Sequence, residues 1–352
     1  MNSFTAKTIE QITPLDETTM QAARARQDQL TKPQGALGRL EALSIQIAGI
    51  TGNVRPRLKQ PVVITMAADH GIARQGVSAY PSEVTPQMVL NFLHGGAAIN
   101  VLARHVGARV AVVDMGVAAE LPVHPELTNC KIAYGTRDFS SGPAMTWDEA
   151  ERSIQAGIEI ALREISRGAD LIGTGDMGIG NTTPSSAIVA TITNRSVAQV
   201  TGRGTGVDDA GLSRKIQTIE RGLQLNQPNP ADGIDVLSKV GGFEIGGLAG
   251  VMIGAASKRV PVVIDGFISG AAALIACTVA PSVQPYLIAA HRSVEIGHRA
   301  MLDHMRLTPL FDLDLRLGEG TGAALGISLC IAACKILDEM ATFVDAGVSE
   351  KS

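Results

Sequence analysis

The chain has 352 residues, 45% of them hydrophobic and 18% charged, which excludes a disordered polymer and lets it bury roughly three-quarters of its unfolded surface in one large unit or two domains. Aromatic residues make up only 3%, so the core must be packed from aliphatic side chains and alanine. The net charge of −4, with acids and bases mixed along the chain, leaves no nucleic-acid footprint.

In chain order, the N-terminal stretch is polar and has no apolar signal-peptide core, which predicts a cytoplasmic protein. The first thirty residues read as a helix, with Asp16 as cap and Met20, Ala23 and Leu30 near helical spacing. A loop over 30–38 leads to a second helix over 40–50. Beyond Pro61 the pattern changes to short apolar runs rich in β-branched residues, at 62–67, 110–113, 171–174 and 262–264. They lead in turn to Asp69, Asp114, Asp176 and Asp265. Helical segments at about 84–106, 147–168, 184–192 and 243–257 separate them. Strands that are apolar throughout, alternating with helices, predict a mostly parallel sheet covered on both faces. Ligands of such sheets bind beyond the carboxyl ends of the strands, where these acids and glycines collect.

Two more helices are expected over 289–305 and 321–344. The expected fold is therefore α/β: a mostly parallel, Rossmann-like sheet covered by helices, over residues 26–304. A small helical domain is expected from both chain ends, 1–25 with 305–352. No apolar stretch, 267–279 included, is long enough for a membrane span. The four cysteines form no CxxC pair, and Cys330 and Cys334, one turn apart in an apolar stretch, read as buried hydrophobes.

The 38 glycines cluster rather than repeat. The segment from Gly173 to Thr183 follows a predicted strand and opens a helix, with Pro184 suited to a first turn. Glycine-exposed N–H groups at a helix start make an anion site, and Asn181, Thr182 and Thr183 add donors. The other reading is a turn whose glycines only solve a packing problem. Gly173, Gly175 and Gly178 spell GxGxxG, but no acid lies between Asp176 and Asp208 to bind a dinucleotide ribose, so a nicotinamide-dinucleotide site is poorly supported. A second cluster, Gly202 to Gly211, precedes a helix carrying Arg214 and Lys215. Lys215 either completes a phosphate site or is a solvated surface lysine; the sequence leaves both open.

Glu319 stands between Gly318 and Gly320, ahead of an apolar helix. It is either an acid favoured by the helix dipole or a partly desolvated general base. His70 follows a strand end and can bind a ligand or cap a loop. The other histidines are scattered. Asp312 with Asp314, and Asp208 with Asp209, lack the spacing of a metal loop, and neither metal nor cofactor is expected. A protein that binds a nucleotide or heterocycle without catalysis remains the rival to an enzyme.

Together the longer motifs carry a resemblance over essentially the whole chain. They are Lys32-Pro-Gln-Gly-Ala-Leu-Gly-Arg-Leu-Glu41, Ala68-Asp-His-Gly71, Tyr80-Pro-Ser-Glu-Val-Thr85, the Gly-Asn-Thr-Thr-Pro stretch ending at Pro184, the run from Asn226 to Phe243, and Arg316-Leu-Gly-Glu-Gly320. The chain resembles the nicotinate-nucleotide–dimethylbenzimidazole phosphoribosyltransferases. The resemblance implies transfer of phosphoribose from nicotinate mononucleotide to 5,6-dimethylbenzimidazole, for the lower ligand of cobalamin, in a homodimer. It implies Glu319 as general base. It implies phosphate and ribose binding by Gly175, Asp176, Gly178, Gly180, Asn181, Thr182, Gly204 and Lys215. It places Tyr80, Gln87, Met88, Ser293 and Leu317 around the benzimidazole, Tyr80 through its backbone carbonyl. The family's loop acid is commonly glutamate; here the shorter Asp176 stands.

Overall fold

The apolar runs form strands because they are buried on both faces, fully in three of the four and over the second half of the 110–113 run. In the computed structural model, which describes residues 1–349, all eight residues of β1 (Pro61–Ala68) are buried. The other strands are β2 (Arg109–Gly116), β3 (Leu127–Asn129), β4 (Leu171–Met177), β5 (Val262–Ile264) and β6 (Leu287–Ala289). They make one sheet of order β3-β2-β1-β4-β5-β6, with every pairing parallel. The chain winds outward from β1 to β3, returns to β4, and winds outward to β6. The direction switches between β1 and β4, and a crevice opens beyond their carboxyl ends.

Alternate residues of β1 feed two cores. Ile64 and Met66 pack under the helices Trp147–Ser166, Thr182–Thr193, Phe243–Ser257 and Phe267–Val279. Val63 and Ala67 pack under Arg39–Thr51, Val84–Leu93, Ala98–Val106 and Thr321–Glu339. The Trp147–Ser166 helix starts with a capping box: Glu149 N donates to Thr146 Oγ1 at 3.1 Å and Thr146 N donates back to Glu149 Oε2 at 2.6 Å. It crosses Phe243–Ser257 at close range because Gly157 and Gly250 present no side chain where the backbones meet.

Against the expectation that no apolar stretch is long enough for a span, the Thr321–Glu339 helix is, among the described residues, the one helix long and apolar enough to cross a membrane, because Gly322 and Gly326 do not interrupt it. Its apolar face packs on the sheet through Ala323, Ile327, Cys330 and Cys334. The chain ends meet beside it: Arg26 Nε donates to Leu337 O at 2.6 Å, Leu30 bridges to Thr342, and Ala23, Ile45, Ala48 and Leu337 share a small core. Of the segment expected to join the N-terminus, 305–352, the last three residues lie outside the described ones.

Several elements differ from expectation for local reasons. The first thirty residues form two helices, Ser3–Glu10 and Glu17–Gln29, with Pro14 between them. Asp16 caps the second, accepting from Thr19 N at 2.9 Å. The expected 84–106 helix breaks at Gly95, whose φ is +74°, into Val84–Leu93 and Ala98–Val106. The 289–305 segment is helical only over Ile296–Met305, because its start belongs to β6 and the following loop. The 321–344 segment ends its long helix at Glu339, and a single turn, Phe343–Ala346, follows.

Candidate active site

At the switch point lies a cleft of about 280 Å³. Of the residues singled out from sequence, it is lined by Tyr80, Asp176, Gly178, Asn181, Thr182, Gly204, Ser293 and Leu317, joined by Phe267, Ile268, His291, Glu295 and Arg316. The remaining candidates stand elsewhere, Glu319 among them: Gly318 before it lines the cleft, but Glu319 itself does not, and its carboxylate accepts from Ile99 N. Gly175 lies inside β4, Gly180 beside Ala73, and Lys215 behind Thr182. Gln87 is exposed on the Val84–Leu93 helix, and Met88 packs on the second core.

One half of the site is built where β4 meets the Thr182–Thr193 helix. Gly180 takes φ +89° to turn the chain into the helix. Thr85, fully buried, accepts from Ile179 N at 3.1 Å and pins the turn. Asn181 Nδ2 donates to Asp176 Oδ2 at 2.9 Å. Lys215 arrives from the Asp209–Asn226 helix and donates to Thr182 Oγ1 at 2.7 Å and Gly202 O at 3.3 Å. It is fully buried, and both acceptors are neutral. Among the described residues no carboxylate lies within ion-pair distance of it. Burial pushes its ammonium down to about 8, against a smaller opposing pull from Glu295. A buried cation with no counter-charge in contact, beside a helix N-terminus, is a place for an anion.

The carboxylate half is the Gly318–Gly320 loop. It lies so close to β4 that a Cβ on Gly175 would overlap the Glu319 carbonyl oxygen. Gly173 similarly makes room for Ala323 and Ile327. Two glycines of the apparent GxGxxG thus lie inside a strand, where their missing side chains let the following loop and helix pack close. Glu319 is buried; Ile99 N donates to its Oε2 at 3.2 Å, and Oε1 is left unengaged by any described residue. Burial raises its carboxyl above the usual range, and the Ile99 N–H offsets this only in part. Asp176 is raised further, by burial and then by the charges of Asp265 and Glu244; its Oδ1 has no partner among the described residues.

The two halves are tied together. Arg316, three residues before Glu319, donates through Nη1 to Gly204 O at 3.1 Å. Gly204, at φ +53°, lies against Thr182 and Lys215 Nζ.

His70 sits outside the cleft. It is fully buried, its Nε2 2.7 Å from Glu244 Oε1, and its ring flanks Gly178. Burial opposes its protonation, but the Glu244 carboxylate outweighs burial and raises it. Thr65, Thr85, Asp265 and Arg316 also shape the site without having been singled out for it. Each but Thr65 had a sequence signal: Thr85 and Arg316 stand in the longer motifs, and Asp265 is an acid at a strand's carboxyl end.

A family model described as "Phosphoribosyltransferase" matches residues 12–348. The chain is 72% identical over 349 residues to the nicotinate-nucleotide–dimethylbenzimidazole phosphoribosyltransferase of Roseiflexus sp. (strain RS-1), and 69% identical to that of Chloroflexus aggregans. In both cases 99% of each chain is covered. A crystal structure of the protein of that name from Thermus thermophilus superposes with a TM-score of 0.91 at 46% identity, over 96% of this chain and all of that one.

Proposed function

Since the chain belongs to the nicotinate-nucleotide–dimethylbenzimidazole phosphoribosyltransferase family, we propose that it transfers the phosphoribosyl group of nicotinate mononucleotide to 5,6-dimethylbenzimidazole. The products are nicotinate and α-ribazole 5′-phosphate, in the assembly of the cobalamin nucleotide loop. The observation that carries this reading is the tie through Arg316 and Gly204, which links the segment beside the buried Lys215 ammonium to the loop that carries the buried Glu319 carboxylate, at one end of the crevice that Gly204, Arg316 and Gly318 line.

In this reading the 5′-phosphate sits at the start of the Thr182–Thr193 helix, over Thr182 and within the field of Lys215. That anchor fixes C1′ in the cleft, and positioning supplies much of the rate. Benzimidazole attacks C1′ through one ring nitrogen while Glu319 takes the proton from the other. The C1′–N bond to the pyridinium breaks, and its electron pair stays on the departing nicotinate nitrogen. A β-linked donor and an α-linked product make this one inverting displacement, with no enzyme nucleophile. Phe267, Ile268 and Leu317 give the cleft apolar walls. Such walls separate acceptors differing by one methyl by only about 1–3 kcal/mol, so neighbouring benzimidazoles should also be accepted. A homodimer belongs to the same proposal. Its support is the exposure of apolar side chains at and beside the cleft: Tyr80 and Leu317 line it, and Val294 and Ile296 flank its Ser293 and Glu295 in the chain.

The direct test incubates the purified protein with both substrates and separates the products by chromatography. Equimolar nicotinate and α-ribazole phosphate are expected. Nicotinate released equally fast without the benzimidazole, or not released at all, would contradict the proposal.

The two ionisable groups also set a pH profile. Glu319 must be ionised, and its raised carboxyl moves the acid limb above the ordinary glutamate range. Lys215 must be protonated to attract the phosphate, so the free enzyme loses substrate capture as pH rises through about 8. A bell-shaped kcat/KM for nicotinate mononucleotide is expected over about pH 5 to 10. A profile still flat well above pH 8 would show that Lys215 does not carry the phosphate.

A further inference from the structure

Glu319 is held against its own backbone preference. Gly318, Glu319 and Gly320 lie at φ of +82°, +62° and +97°. A residue with a side chain persists there only when its surroundings over-determine it. The Thr321–Glu339 helix that follows has Gly320 at its start and no side-chain cap of its own. Its first N–H groups would otherwise be orphaned in a buried place. Asp265, one residue beyond β5, takes them: Oδ2 accepts from Gly320 N at 3.2 Å and Oδ1 from Ala323 N at 3.0 Å. Two neutral contacts complete the grip on the loop. Glu319 N donates to Asp176 O at 3.2 Å, and Thr65 Oγ1 donates to Glu319 O at 3.0 Å. Asp265 is the one member of this set that holds the loop through a side-chain carboxyl group. It is buried, does not line the cleft, and faces His291 Nε2 at 3.7 Å.

We infer that Asp265 is a positioning residue for the transfer reaction. By capping the Thr321–Glu339 helix from a neighbouring strand, it holds Glu319 in left-handed backbone and so aims the carboxylate that takes the proton. The inference rests on Glu319 acting as the base. Burial raises the Asp265 carboxyl and the N–H groups of Ala323, Gly320, Gly322 and Gly266 draw it back in part, to about 7, so the same N–H groups that it caps favour its charged form over what burial alone would leave.

The experiment compares Asp265→Asn and Asp265→Ser in two backgrounds, wild type and Glu319→Gln, with residual rates in the second read at high enzyme concentration. Asn keeps one acceptor and turns a donor toward a donor; Ser keeps a cap-type oxygen in less volume and serves if the amide variant is not recovered folded. In the wild-type background kcat should fall on the order of 10²-fold, the loss that follows a displacement of roughly 1 Å. KM for nicotinate mononucleotide should stay within about twofold, because the Lys215 side is untouched. In the Glu319→Gln background the same substitutions should cause almost no further loss, since the group being aimed is gone. Equal losses in both backgrounds, or a rise in KM at unchanged kcat, would overturn the inference. A Glu319→Gln enzyme that turns over at the wild-type rate would overturn the base assignment as well, and that single variant tells the two failures apart.

Discussion

Replacing Glu319 with Gln is expected to lower kcat by about 10²- to 10⁴-fold, the range supplied by a positioned general base. KM for nicotinate mononucleotide should hardly move. Gln preserves the volume and an oxygen that accepts from Ile99 N, now made at 3.2 Å, so the loop has no reason to relocate. It removes only the capacity to take a proton. Stability should not suffer, because burial already disfavours the carboxylate and the amide carries no charge to desolvate. Steady-state kinetics and a thermal melt on the same preparation check both halves. A collapsed melting temperature would mean that lost folding explains the rate. Wild-type turnover from a folded variant would remove Glu319 from the reaction.

Different parts of this arrangement were legible in the sequence to different depths, and the reasons are physical. β1 and β4 announce themselves because a strand buried on both faces must be apolar throughout. β3 and β6 have three residues each; they are strands only because β2 and β5 offer paired edges, which no local pattern records. The 84–106 segment holds a Gly95-Gly96 pair, a turn signal that the apolar spacing on either side masks, and the chain breaks there with Gly95 at φ +74°. The glycine clusters did point to the crevice, yet the role of each glycine depends on what lies against it. Gly180 turns the chain, whereas Gly175 admits another loop. The grip on Glu319 was hidden for a simpler reason: Thr65 is 254 positions away and Asp265 is 55 positions from the Gly320 it caps. The Lys215 choice between surface and site turned on burial and on the absence of a paired carboxylate, both of which exist only once the chain is folded.

Lys215 accordingly makes the second large prediction. In Lys215→Met the ammonium is lost but the length and the apolar stem remain. A hydrogen bond to a charged group is worth about 1.5–3 kcal/mol, so kcat/KM for nicotinate mononucleotide should fall by roughly 10- to 100-fold, mostly through KM. Stability should move the other way. The folded protein holds a buried cation whose hydrogen-bond partners, Thr182 Oγ1 and Gly202 O, are neutral. Removing that cation relieves its desolvation, so the melting temperature should hold or rise in the absence of substrate. An ordinary structural lysine would give the opposite result, a lower melting temperature with KM unchanged. Added inorganic phosphate separates the two readings again. It should raise the melting temperature of the wild type by mass action and do so much less in Lys215→Met. Lys215→Arg should not restore binding, because the Nζ site is enclosed by Thr182 and by Gly204, where even a Cβ would come within 3.2 Å of the ammonium, and a planar guanidinium needs more room than a compact ammonium.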